Sequence, residues 1–271
     1  MKSKYFYILI FCSFLFCSCG EYTRILKSTD VDEKYDYAKV YYEKGKYTRS
    51  ATLLTDVVAV YRGTEEAENA LYLLAMSHFK MKDYLSAGEY FARYCNLYPR
   101  GKRAEESRFN MAYGDYKDSP DARLDQEVTQ RAIKELDAFV EMYPRSELAD
   151  SATVMRYELV DKLCYKEYLS AKLYLNLGTY MGNNYESAVI TARNAQRDYP
   201  YTKYREDLAF VILKARYEAA EYSVEEKRED RLREAYDEYY TFINEFAEGK
   251  YAKEANKMFE DISRKLEVYE E

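Results

Sequence analysis

Tryptophan is absent from the 271 residues, and histidine occurs once. A single imidazole weakens most acid–base, triad and zinc readings. Glycine (9) and proline (4) are scarce. Without them the many tight turns of a β-sandwich or barrel cannot be made. Basic residues fall short of acidic ones, 41 against 48, for a formal charge of −7. A nucleic-acid partner held by phosphate contacts is therefore disfavoured. No phosphate-cradling glycine loop, HExxH or nucleophile elbow occurs, and the chain reads as a non-enzyme. What is plentiful is tyrosine (33) and phenylalanine (12), within a hydrophobic share of 48%. That is too apolar for a disordered chain. The length suits one extended array or about two compact domains at ~150 residues each.

Only one long apolar run is present, Tyr5 to Phe16, interrupted by Ser13 and preceded by Met1-Lys2-Ser3-Lys4. A run this short, at ~1.5 Å per residue, cannot cross a ~30 Å hydrocarbon core, so residues 1–18 read as a signal peptide. Phe16-Cys17-Ser18-Cys19-Gly20 resembles the lipobox of bacterial lipoproteins. Cleavage before Cys19 leaves small Ser18 at −1, whereas cleavage before Cys17 leaves bulky Phe16. Cys19 is thus expected to carry N-acyl and S-diacylglycerol lipid, with no other cofactor; an ordinary secretory signal with incidental cysteines is the alternative. Loss of Lys2 and Lys4 with the leader leaves 39 basic and 48 acidic residues, a formal charge of −9. Cys95 and Cys164 show no paired spacing and read as free thiols.

The body repeats. Tyr35-Asp36-Tyr37-Ala38 aligns with Tyr72-Leu73-Leu74-Ala75 and Phe109-Asn110-Met111-Ala112 at a spacing of 37. A second aromatic follows each leading ring by seven residues: Tyr42, Phe79 and Tyr116. Two helical turns put both rings on one face. Second helices begin at Tyr47-x-x-Ser50, Tyr84-x-x-Ala87, Thr129-x-x-Ala132, Tyr185-x-x-Ala188 and Leu232-x-x-Ala235. Four residues further on stand Leu54, Phe91, Leu136, Ala192 and Tyr239. Tyr98-Pro99, Tyr143-Pro144 and Tyr199-Pro200 are helix stops.

The small residue, Gly45-Lys46-Tyr47, and then small, bulky and terminal-proline positions resemble the tetratricopeptide pattern. The expected fold is all-α: a tetratricopeptide-repeat superhelix of about five helical hairpins, at roughly 32–62, 69–99, 104–144, 166–200 and 203–247. One hairpin cannot bury its own apolar face, so such units stack. A separate helix near 148–165 is expected between units three and four, and a capping helix near 250–268. Asp118–Val128 reads as an insert, and Glu225–Arg231 as a solvated turn or helix extension. His78 reads as a half-buried core residue. By analogy with the repeat, the first helices line a groove. Tyr35, Tyr42, Tyr72, Phe79, Phe109 and Tyr116 would face it, joined by Lys39, Met76 and Tyr113 just after the alanines. Packing between repeats is the competing role for these rings. Tyrosine offers contact area with few rotors to freeze, which suits peptide binding.

A lipid-bearing cysteine followed by such repeats resembles the BamD family of outer-membrane β-barrel assembly lipoproteins, of the Bacteroidetes type. The stretches that carry this are Cys19-Gly20-Glu21-Tyr22, Arg123-Leu124-Asp125-Gln126 and Tyr199 to Asp207, with Tyr168-x-x-Ala171-x-x-Tyr174-x-x-Leu177-Gly178. The resemblance implies a periplasmic scaffold on the outer membrane, within the BAM complex. It implies that BamA is bound through its POTRA domains by the C-terminal part, 145–271. Unfolded outer-membrane proteins would be received by the N-terminal part, 32–144, beyond a tether at 19–31. It also places Arg205 against BamA. Two other functions fit a lipidated repeat protein: a periplasmic adaptor for cell-wall or envelope machinery, and a SusD-like glycan-binding lipoprotein. The missing tryptophans and the modest length speak against the latter.

Overall fold

The structure is a computed structural model that describes residues 20–61 and 63–270. The leader at 1–18 and Cys19 lie outside them. Among the described residues every regular element is a helix. A helical stretch at 20–27 (α1) precedes α2 (Val31–Glu43), α3 (Tyr47–Val60), α4 (Glu65–Lys80), α5 (Tyr84–Leu97), α6 (Ala104–Asp118) and α7 (Glu127–Met142). Then follow α8 (Ala149–Leu177), α9 (Asn184–Asp198), α10 (Arg205–Glu221), α11 (Glu225–Glu245) and α12 (Ala252–Glu270).

Local chemistry sets the ends. The Asp30, Thr64 and Asp83 side chains accept from the backbone N–H groups of Glu33, Ala67 and Ser86 at 3.0–3.2 Å, satisfying donors that a helix start leaves open. α5, α7 and α9 each stop one residue before the tyrosine of a Tyr-Pro pair. Proline has no N–H to continue the ladder, and it disfavours helical backbone in the residue before it.

The chain divides into two compact units. One runs to Ser119 and resumes over Glu127–Arg156; the other comprises Pro120–Gln126 and the residues from Tyr157 on. In the first unit each helix from α2 to α7 packs on the next. Ala38, Ala75 and Ala112 are fully buried, which lets the helices approach closely. Ser50, also fully buried, donates from its hydroxyl to the Ala38 carbonyl at 2.8 Å. Leu54, Phe91 and Leu136 fill the space beside the small positions with no exposed surface. Replacing Ala75 with leucine overpacks this contact and costs ~1–3 kcal/mol; a thermal melt no lower than that of the unsubstituted protein would contradict the placement.

In the second unit the Cys164, Ala171 and Leu175 portion of α8 shares a core with α9 and α10. α10, α11 and α12 share another, in which Ile262 is fully buried and Met258 nearly so. The closing helix expected near 250–268 is therefore present. Burial pushes the Cys164 thiol up to about 11, so it is inert as a nucleophile at neutral pH.

Two expectations change. The linking helix at 148–165 and the first helix of the fourth hairpin are one continuous α8. No glycine or proline occurs between Ala149 and Leu177 to break it. The division of the chain also falls later than residue 144, and the middle of the insert belongs with the second unit. There Ala122 is buried and the Leu124 carbonyl accepts from Lys166 Nζ at 2.7 Å. The charged run at 225–231 is the start of α11. Arg231 bonds back to the Ala219 carbonyl and the Ser223 hydroxyl, pinning the turn before that helix.

A recurring clasp joins consecutive hairpins within each unit. Glu68 on α4 accepts from the Lys102 N–H at 2.9 Å and from the Tyr94 hydroxyl at 2.5 Å. Glu105, 37 residues on, accepts from the Ser146 hydroxyl at 2.6 Å. Asp161 and Glu206 hold the turns at Thr202-Lys203 and Tyr251 in the same way. Gly101 keeps the first of these open: a Cβ there would lie 2.6 Å from Glu68 Oε1.

Candidate functional site

The aligned rings on α2, α4 and α6 separate into two sets. Tyr35, Tyr72 and Phe109, expected on the groove, are 8%, 6% and 9% exposed and belong to the packing. The Tyr35 ring meets Tyr61 edge-on at 5.8 Å, and its hydroxyl accepts from Asn69 Nδ2 at 2.6 Å. Tyr72 packs beside Phe91 and Tyr94, both at 6.2 Å, and donates to Glu106 at 2.5 Å. Phe109 lies edge-on to Phe139 at 5.4 Å.

Tyr42, Met76, Phe79, Tyr113 and Tyr116 are half-buried. Four of these form one surface across α4 and α6. Tyr113 stands 5.8 Å from Phe79 and stacks on Tyr116 at 6.0 Å and on Phe109 at 5.8 Å. Met76 Sδ accepts a long bond from Asn110 Nδ2 at 3.5 Å, tying the two helices beside the rings. Tyr42 stands apart, against Tyr47 of its own hairpin at 5.5 Å. Lys39 folds back over the Tyr35 ring at 4.5 Å and pairs with Asp36. The surface is thus a patch of ring faces and edges with hydroxyls, able to take apolar side chains and bond a backbone. It offers no nucleophile with a base beside it. His78 is half-buried with Nδ1 2.8 Å from Asp83, as a structural histidine would be. Among the described residues no group of histidine, cysteine and carboxylate could hold a metal.

Arg205, expected to meet a partner, is half-exposed at the start of α10. Its Nε donates to Glu245 at 2.9 Å and its Nη1 to the Pro200 carbonyl at 2.8 Å. The guanidinium therefore ties the Tyr199-Pro200 turn to the end of α11.

Two cavities escaped the sequence reading. One of about 730 Å³ lies between α3, α4 and α5, lined by Val58, Leu71, Ala92 and Leu97. The other, of about 590 Å³, lies over α8, α9, α10 and α12 and mixes tyrosines with lysines and glutamates. Its one local signal is the four-residue recurrence Phe210, Lys214, Glu218 on α10 and Tyr222 just past its end.

Helical hairpins packed in sequence order, with alanines at the crossings and rings on one face, define a tetratricopeptide-type repeat protein. The family described as outer membrane lipoprotein (YfiO) matches residues 27–229, and the chain belongs to that family. Two relatives agree. The outer membrane protein assembly factor BamD of Caulobacter vibrioides is 22% identical over 156 residues, 58% of this chain and 51% of that protein. The putative outer membrane protein assembly factor BamD of Aquifex aeolicus is 28% identical over 187 residues, 66% of this chain and 60% of that protein. The chain thus spans about half to three fifths of the length of these relatives. A solved structure of kinesin-light-chain TPR-like repeats from Podosopora anserina covers 86% of this chain and 93% of its own. It is 14% identical with a TM-score of 0.33, too loose a superposition to carry the fold. No helix among the described residues is long and apolar enough to cross a membrane.

Proposed function

We propose that this protein is a non-enzymatic scaffold of outer-membrane protein assembly, held on the periplasmic face of the outer membrane by lipid on Cys19. The match of the outer membrane lipoprotein family to residues 27–229 carries this reading. Both relatives above are named as assembly factors. On this reading the first unit receives unfolded β-barrel proteins, and the second binds the POTRA domains of BamA. The ring surface of Phe79, Tyr113 and Tyr116 with Met76 supports the first role, because an unfolded barrel strand exposes alternating apolar side chains. Half-buried rings that expose part of their faces and edges can bind such a strand without reading its full sequence.

Arg205 is the residue proposed to meet BamA. Arg205→Glu loosens a pull-down of the BamA POTRA domains. The same substitution breaks the bonds to Glu245 and Pro200, so Glu245→Ala is the control. It frees the guanidinium from α11 without removing it, and the pull-down is retained. Wild-type capture by Arg205→Glu would discard the assignment.

A further inference from the structure

The cavity of the second unit has a chemistry that the assembly role leaves unused. Phe210, Lys214 and Glu218 on α10, with Tyr222 just past its end, recur every four residues and form one stripe. The charges along it are unequally matched. Lys214 Nζ donates to Glu254 on α12 at 3.2 Å, so the cation facing Glu218 is already engaged. Lys172, the other cation of the cavity, stands 5.8 Å over the Tyr168 ring. Glu218 lines this cavity together with two phenol rings, Tyr185 and Tyr222, which lie 6.3 Å apart and nearly parallel. The Tyr185 ring is 6% exposed, with its hydroxyl under Gly178, where a Cβ would come within 2.7 Å. It is a fixed wall. Tyr222 is 68% exposed and offers a free face. Burial holds the Glu218 carboxyl above its ordinary range, against the pull of Lys214 and the Tyr185 hydroxyl. Burial, with Glu218 beside it, pushes Tyr185 up to about 12.

A half-buried carboxylate in one cavity with an exposed ring face is an arrangement that takes a flat cation. The carboxylate supplies two acceptors and the rings supply the stacking surface. The stripe also sets the form of the ligand. Steps of four helical residues are ~6 Å, close to the ~6.6 Å between alternate side chains of an extended strand. Phe210 is buried against Tyr251, so the accessible part of the stripe runs from Lys214 to Tyr222, ~12 Å, the length of a strand of about four residues.

We propose that this cavity binds an arginine side chain of an extended polypeptide, with Glu218 as its counter-ion and the exposed face of Tyr222 against its guanidinium. The site lies within the second unit and shares no residue with the rings of α4 and α6. It holds or falls independently of the pull-down above.

The test uses the full lipoprotein in detergent and a fluorescein-labelled peptide, Gly-Tyr-Ser-Arg-Ser-Gly, read by fluorescence anisotropy. Its partner peptide carries citrulline, which has the same shape without the charge, in place of arginine. The arginine peptide should bind at least about tenfold more tightly than the citrulline peptide. Glu218→Gln should remove that difference while leaving the weaker binding in place. Tyr222→Ala, at an exposed position outside the core, should weaken the arginine peptide by a similar factor and serves if Glu218→Gln does not fold. Equal binding of the two peptides would overturn the proposal. So would no binding up to about 1 mM, or a preference for arginine that survives both substitutions.

Discussion

Tyr72→Ala lowers the stability of the first unit by about 3–5 kcal/mol, the usual cost of deleting a buried aromatic ring. The ring is 6% exposed and is surrounded by Phe91, Tyr94 and the Arg103 guanidinium, the last 5.1 Å from its centre. Its hydroxyl donates to Glu106, and burial raises its pKa far above the usual tyrosine range. Truncation therefore opens a cavity and also leaves the Glu106 carboxylate without this donor. Tyr72→Phe keeps the ring and loses only the bond, at about 1 kcal/mol. Because the chain has two units, one melting curve need not describe both. Amide exchange in peptides from residues 65–97 locates the loss. Unchanged protection there would put the ring on a free surface and dissociate it from the packing.

Tyr113→Ala combined with Tyr116→Ala weakens capture of an unfolded barrel protein by about 2 kcal/mol or more, the scale of an interface hot spot. Both rings are half-buried, and Tyr113 sits in contact with Phe79, Phe109 and Tyr116. They cover the surface without entering the crossing of α6 with its neighbours, where Ala112 lies fully buried. Helicity and the exchange protection of residues 104–118 should stay close to those of the unsubstituted protein. The two variants thus separate what sequence alignment alone placed together: Tyr72 acts through the fold, Tyr113 and Tyr116 through a ligand. Capture at full strength by the double variant would remove this face from the binding argument.

The hairpins were legible because their signals are steric. An alanine at the crossings, a bulky residue beside it and a proline at three of the stops can be satisfied in few other ways. The fate of the rings was less legible. Tyr35 and Tyr42 share a helix face by spacing, yet their burial differs with position along α2. Tyr35 lies where Tyr61 and Asn69 close over it, whereas Tyr42 stands one residue from the helix end at Glu43. Angular periodicity reports direction but not how far the neighbouring helices extend. α8 is continuous where a separate helix and a hairpin were expected, and no glycine or proline between 149 and 177 marks an end. The polar cavity of the second unit joins residues from Tyr168 to Glu254 on four helices. Only folding assembles it, so a reading along the chain shows at most the stripe on α10.

The scaffold reading stands or falls with the neighbours of the anchored protein in its own membrane. Crosslinking from the lipidated chain in intact cells, read by mass spectrometry, identifies them. BamA periplasmic peptides should be linked to lysines of the second unit, and barrel-strand peptides to those of the first. Recovery of a cell-wall synthase or a glycan transporter, with no BamA, would contradict it.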